Sequence, residues 1–138
     1  MLKKLPLLLL ILCCFGCDKV KKDAACGMQT CTLSFASIGI SFTDKNGTGI
    51  EVTNYSAVNQ RTKLKLVNAS SFSVNTVPGY YIVANDSMRD QLSTQGDEVL
   101  ISGTHPTTGQ TKTAVFKISG GCNCHVDKIS GVQTIAFD

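Results

Sequence analysis

From residue 32 to residue 43 the chain alternates between apolar and polar side chains, and then the alternation changes parity. Leu33 and Phe35 hold the odd positions, whereas Ile38, Ile40 and Phe42 hold the even ones. A period of two predicts a half-buried strand, and a parity change predicts a β-bulge or a strand that passes between sheets. Asp44-Lys45-Asn46-Gly47 predicts a tight turn, with a second strand following through Ile50, Val52 and Asn54. Residues 61–68 predict a third strand, Leu64 and Leu66 inward and Lys63 and Lys65 outward. Residues 72–77 predict a short fourth, stopped by Pro78-Gly79. Residues 80–84 are apolar without alternation, the pattern of a central strand covered on both faces. Ser87-Met88-Arg89-Asp90 has the spacing of a capping box, so residues 87–92 predict a short helix with Ser87 as its N-cap. Residues 99–103 and 111–119 predict a hairpin around Pro106-Thr107-Thr108-Gly109, with Ala114, Phe116 and Ile118 inward. Residues 133–137 close the chain with Ile135 and Phe137 on one face.

Seven or eight short strands separated by turn signals predict an all-β fold: an Ig-like or transthyretin-like β-sandwich with one short helix. A small barrel is the alternative. The chain has no Trp, so the Cys…Trp…Cys pattern of antibody domains is absent.

The first residues follow a different pattern. Lys3 and Lys4 precede an apolar run, residues 5–12, interrupted by Pro6 and prolonged to Phe15. The run is too short to cross a hydrocarbon core, which takes about 20 helical residues. It is also apolar on every face, unlike a helix that packs on a core. Residues 1–16 are therefore expected to be a secretory signal peptide. Cys14-Phe15-Gly16-Cys17 resembles the lipobox of bacterial lipoproteins, with Gly16 and Cys17 at its matching positions and Cys14 where Leu is usual. That resemblance implies diacylglycerol on Cys17, which becomes the mature N-terminus. Ordinary cleavage after Gly16 would leave Cys17 as a thiol. Residues 17–25, with Lys19, Lys21 and Lys22 among them, hold too little apolar surface to fold and are expected to be a tether. Residues 26–138 are then one domain of about 110 residues.

The seven cysteines sort accordingly. Cys13 and Cys14 leave with the signal and Cys17 takes the lipid. Cys26, Cys31, Cys122 and Cys124 remain, an even set that in an exported chain predicts disulfides. Three connectivities are open. A Cys122–Cys124 bridge is disfavoured, because residues two apart on a strand lie too far from one another. The rival is a metal site of Cys122, Cys124 and His125, soft ligands suited to Zn or Cu(I).

Charge adds one exclusion. Of 13 basic and 10 acidic residues, Lys3 and Lys4 belong to the signal, which leaves a nearly neutral mature chain with no basic face for nucleic acid. Asp44 to Gly49 begins like a calcium loop, but Tyr55 stands where the closing Glu belongs, so a hairpin turn is expected. His105 is expected to be exposed and idle. No Ser-His-Asp order is evident, and Asp97 and Glu98 should point to opposite sheet faces. Tyr80 or Tyr81, with Tyr55, could supply an aromatic platform for a sugar, with core packing the better-supported alternative.

In Cys31 before the first strand and Gly120-Gly121-Cys122-Asn123-Cys124-His125 near the end, the chain resembles the short, uncharacterised single-domain lipoproteins of the Bacteroidota. The resemblance implies a bacterial cell-envelope protein, membrane-anchored and facing the periplasm or the cell surface. The expected role is non-enzymatic binding or structure, without a cofactor. The membrane is engaged through the lipid, and a glycan or an envelope protein is the conceivable partner. The alternatives are a carbohydrate-binding accessory lipoprotein and a metal-binding lipoprotein.

Overall fold

The computed structural model describes residues 26–66 and 77–138. The expected signal peptide, Cys17 and the tether lie outside the described residues, as do Val67, Asn68 and residues 72–76 of the two expected middle strands. The described residues form seven strands: β1 Ser37–Thr43, β2 Thr53–Asn59, β3 Tyr80–Asn85, β4 Asp97–Thr104, β5 Thr111–Ser119, β6 Asp127–Ser130 and β7 Thr134–Ala136. A short 3-10 helix, Asp86–Gln91, follows β3. The strands make two sheets, β3-β1-β7 and β2-β4-β5-β6. The expected all-β sandwich is thus the fold. Pairs are antiparallel except β1 with β7, where Phe42 lies opposite Ile135 in parallel register.

The core lies between the sheets. Ile40, Phe42 and Val83 come from one sheet and Ala57, Val99, Ile101, Phe116 and Ile118 from the other, all fully buried. Each strand supplies alternate residues, as the pleat dictates. Phe42 sits at the centre, edge-on to Tyr55 and Tyr81 and stacked on Phe137 at 6.0 Å. The β4–β5 hairpin runs in unbroken register from Asp97 opposite Ile118 to Thr104 opposite Thr111. Asp97 is buried and Glu98 exposed, as their adjacent positions require.

Five expectations need correction. The first strand begins at Ser37, and its register shift falls between Ile38 and Gly39, so Leu33 and Phe35 lie on an extended arm and are exposed. In the second strand the inward set is Tyr55, Ala57 and Asn59, because Asn54 adopts a left-handed backbone (φ 52°) and shifts the register. The expected third strand opens as a turn at residues 61–62, and its described residues form no regular strand. Lys63 is left-handed (φ 61°), and a single bridge joins Lys65 to Val58. Leu66 is buried as expected, but Leu64 is exposed. Among the described residues the apolar run 80–84 is an edge strand, paired with β1. It is apolar because Tyr81, Val83 and Ala84 are buried while Tyr80 and Ile82 are half-buried beside them. Last, Asn85 caps the helix by accepting the Ser87 amide, which displaces Ser87 from that role. β6 had no counterpart among the expected strands.

Candidate functional site

Chemistry-bearing side chains gather at one end of the sandwich, where the extended residues 26–36 meet the loop after β5. That loop opens with Gly120-Gly121. A Cβ on Gly120 would strike the Arg89 carbonyl, and Gly121 is left-handed (φ 57°), so glycines let the loop lie directly on the helix. The Gly121 amide donates to the Arg89 carbonyl at 2.8 Å, and the Cys122 amide to Thr94 Oγ1 at 3.0 Å. Cys122 and Cys124 are thereby presented to the arm. Two disulfides close across the gap, Cys26–Cys122 and Cys31–Cys124, with Cα separations of 5.2 and 5.3 Å. They fit an oxidising, extracytoplasmic location. They also take up the sulfurs that the metal-site reading required of Cys122 and Cys124.

The second bridge brings its neighbours together. Thr32 follows Cys31 and His125 follows Cys124, and Thr32 Oγ1 lies 2.8 Å from His125 Nε2. On the other side of the ring, His125 Nδ1 lies 2.7 Å from Asp86 Oδ2. Asp86 also accepts the amides of Ala36 and Val126, both at 2.8 Å. Burial pushes the Asp86 carboxyl up, but the donors Ala36, Val126 and His125 together outweigh it and hold the group below the usual carboxylate range. An ionised Asp86 accepts only, so Nδ1 carries a proton toward it. In the neutral ring Nε2 is then the acceptor for the Thr32 hydroxyl. Ser34 Oγ continues the chain, 2.8 Å from Thr32 Oγ1.

A hydroxyl, an imidazole and a carboxylate in line can polarise the hydroxyl. Here the same atoms also tie the arm, the helix start and the entry to β6 into one clasp, since Asp86 begins the helix and has partners on the other two. A cavity of about 190 Å3 lies between the Cys26–Cys122 bridge and Arg89, and neither Thr32 nor His125 lines it. His125 pairs with Asp86 rather than with its chain neighbour Asp127. Sequence spacing offered no signal for this, because Thr32, Asp86 and His125 are far apart along the chain.

A second polar cluster is deeper. Asp97 accepts both Nε and Nη2 of Arg61 at 2.8 Å, Asn59 Nδ2 at 2.8 Å, and the amide and hydroxyl of Ser93. Burial pushes this carboxyl up, yet Arg61, Asn59 and Ser93 more than compensate and lower it to about 2. Five donors on one buried carboxylate make a structural anchor for the start of β4.

The remaining candidates resolve into packing and turns. Tyr55 and Tyr81 are core residues stacked at 4.6 Å, and their hydroxyls bond the Ile82 carbonyl and the Val52 amide. Burial raises the pKa of both. Tyr80 is half-buried with its ring over Gly39, so the three tyrosines do not form a sugar platform. Asp44 accepts the amides of Asn46 and Thr48 in the expected hairpin turn. His105 has a role after all, because its Nδ1 accepts the Thr107 and Thr108 amides and its ring meets Phe137 edge-on. Among the described residues no group of His, Cys, Asp and Glu is arranged to hold a metal ion, and no helix is long and apolar enough to cross a membrane. No family model, no curated protein and no solved structure matches the chain.

Proposed function

We propose that this chain is a lipid-anchored module of the bacterial cell envelope, a disulfide-stapled sandwich with a binding or structural role rather than a catalytic one. The observation that carries the reading is the pairing of Cys26, Cys31, Cys122 and Cys124 with one another. Once the signal segment is removed, Cys17 is the one cysteine outside those pairs, and it stands at the cleavage position of the lipobox-like stretch. An anchor of two or more acyl chains holds a protein to a bilayer stably, whereas one chain does not. The clasp around His125 suits a structural role, since Asp86 is committed to three donors from two other segments.

Intact mass spectrometry of the protein extracted from membranes tests this directly. The expected species starts at Cys17, carries diacylglycerol and retains four oxidised cysteines. Cys17→Ser should release the protein from the membrane fraction. A mature species that starts elsewhere, or one that starts at an unmodified Cys17, would overturn the anchor.

A further inference from the structure

We propose that the disulfide-clamped arm, residues 26–36, is a lipid-facing surface that seats the sandwich on the bilayer; the inference rests on the anchor proposed above. Three large apolar side chains crowd this short segment. Met28 and Leu33 are fully exposed, at 107% and 105% of their reference areas, and Phe35 is 67% exposed. Their display follows from the local geometry. Thr32 and Ser34 share the face that meets His125, as their linked hydroxyls show. Leu33 and Phe35, which alternate with them along the arm, are the side chains left exposed. The two disulfides, with the Ala36 amide on Asp86, keep the arm from folding these side chains back onto the core.

Chain length argues for a bilayer as the occupant. Between Cys17 and Cys26 the backbone spans at most about 30 Å when fully extended. A lipid on Cys17 therefore confines the arm to the membrane's immediate neighbourhood, and residue 26 is where the described structure begins. Lys19, Lys21 and Lys22 lie in that interval. Basic side chains next to an anchor are attracted to anionic headgroups. Polar Gln29, Thr30, Thr32 and Ser34 interleave with the apolar three, a mixture suited to the boundary between headgroups and acyl chains.

The chain has no Trp, so a single reporter can be placed on the arm. The chain beginning at Cys17, with its other cysteines oxidised, is coupled through that thiol to maleimide phospholipid in vesicles containing phosphatidylglycerol. With Phe35→Trp, emission should move to shorter wavelength on coupling and be quenched by nitroxide lipids labelled high on the acyl chain. A Val115→Trp reporter, on the outer face of the other sheet, should keep its aqueous emission. In the uncoupled chain, Met28→Ser and Leu33→Ser should each lower partitioning into the same vesicles by about tenfold. Unchanged Phe35→Trp emission on coupling would overturn the proposal. So would a shift that appears without vesicles as protein concentration rises, which would assign the surface to a second copy. Chemical coupling replaces the cell's lipid, so this test can fail while native Cys17 is lipidated, and it can succeed when native Cys17 is not.

Discussion

Removing one disulfide from this domain should cost far less than removing the second. Each bridge taken alone closes a long loop, with sequence separations of 96 and 93. In the chain-entropy description, a loop of that length restricts the unfolded chain by about 4.7 kcal/mol. The two bridges overlap, however. Once Cys26–Cys122 is formed, Cys31 and Cys124 are already connected through a ring of roughly nine residues, and closing it adds only about 2.5 kcal/mol. The same holds with the bridges exchanged. Either pair replaced by Ser (Cys26→Ser with Cys122→Ser, or Cys31→Ser with Cys124→Ser) should lower the unfolding free energy by about 2.5 kcal/mol. The quadruple variant should lose about 7 kcal/mol, a large share of the roughly 5–15 kcal/mol that such a domain possesses. Urea titrations without reductant, monitored by far-UV circular dichroism, measure these differences. The urea dependence should also steepen in the quadruple variant, whose unfolded chain is free to expand. Single-pair losses near 4–5 kcal/mol that add in the quadruple variant would refute the ring argument, because the bridges would then act independently.

Acid should weaken the fold through Asp97. Its pKa is about 2, below the ordinary aspartate value of 3.8, so its stabilisation is complete above pH 4 and is lost as pH falls through 2. Screening at the half-exposed Arg61 limits this share to about 1 kcal/mol, and Asp97→Asn should flatten that part of a pH-dependent urea series. At Asn54, a left-handed residue in a strand, Asn54→Gly should leave stability unchanged or raise it, whereas Asn54→Val should cost about 1–2 kcal/mol by thermal melting. Gly103 lies under the Phe42 ring, where a new Cβ would come within 2.7 Å of a buried side chain. Gly103→Ala should therefore destabilise by about 1–3 kcal/mol, and the companion Phe42→Leu should recover part of that loss if the clash is the cause.

How much of this was legible depended on the distance over which each feature is determined. The β4–β5 hairpin was readable because strict alternation flanks a Pro-and-Gly loop, and both signals are local. The two-sheet fold followed from strand number and spacing. Leu64 and Leu66 misled because alternation is also what a turn produces when one of its leucines happens to be buried. Asn54 carried a usable signal, since Asn tolerates the left-handed region better than its neighbours do, but nothing nearby demanded a shift of register. The apolar run in β3 suggested a central strand, yet an edge strand can be equally apolar when tyrosine and isoleucine half-cover its outer side. The clasp was illegible in principle. His125 meets Asp86 across 39 positions and Thr32 across 93, and it takes the loop packed on the helix together with the Cys31–Cys124 bridge to bring those segments together.

The placement of those disulfides has a mechanical consequence. A tether entering at Cys26 would, without them, pull on the arm and through it on Ser37, the first residue of β1. β1 is the middle strand of its sheet and carries Ile40 and Phe42, so peeling it would open the core. With the bridges closed, load at Cys26 passes covalently to Cys122, just beyond β5. β5 is an interior strand of the larger sheet, with long antiparallel register to β4. The arm between Cys31 and Ser37 is thereby relieved, and the Ala36–Asp86 bond, which could not sustain a pull alone, needs only to set direction. Reduction should accordingly expose β1 amides to hydrogen exchange before β5 amides, and more so when the chain is coupled to a surface through Cys17. Equal exchange in β1 and β5 after reduction would mean that the bridges stabilise the domain only through its unfolded state.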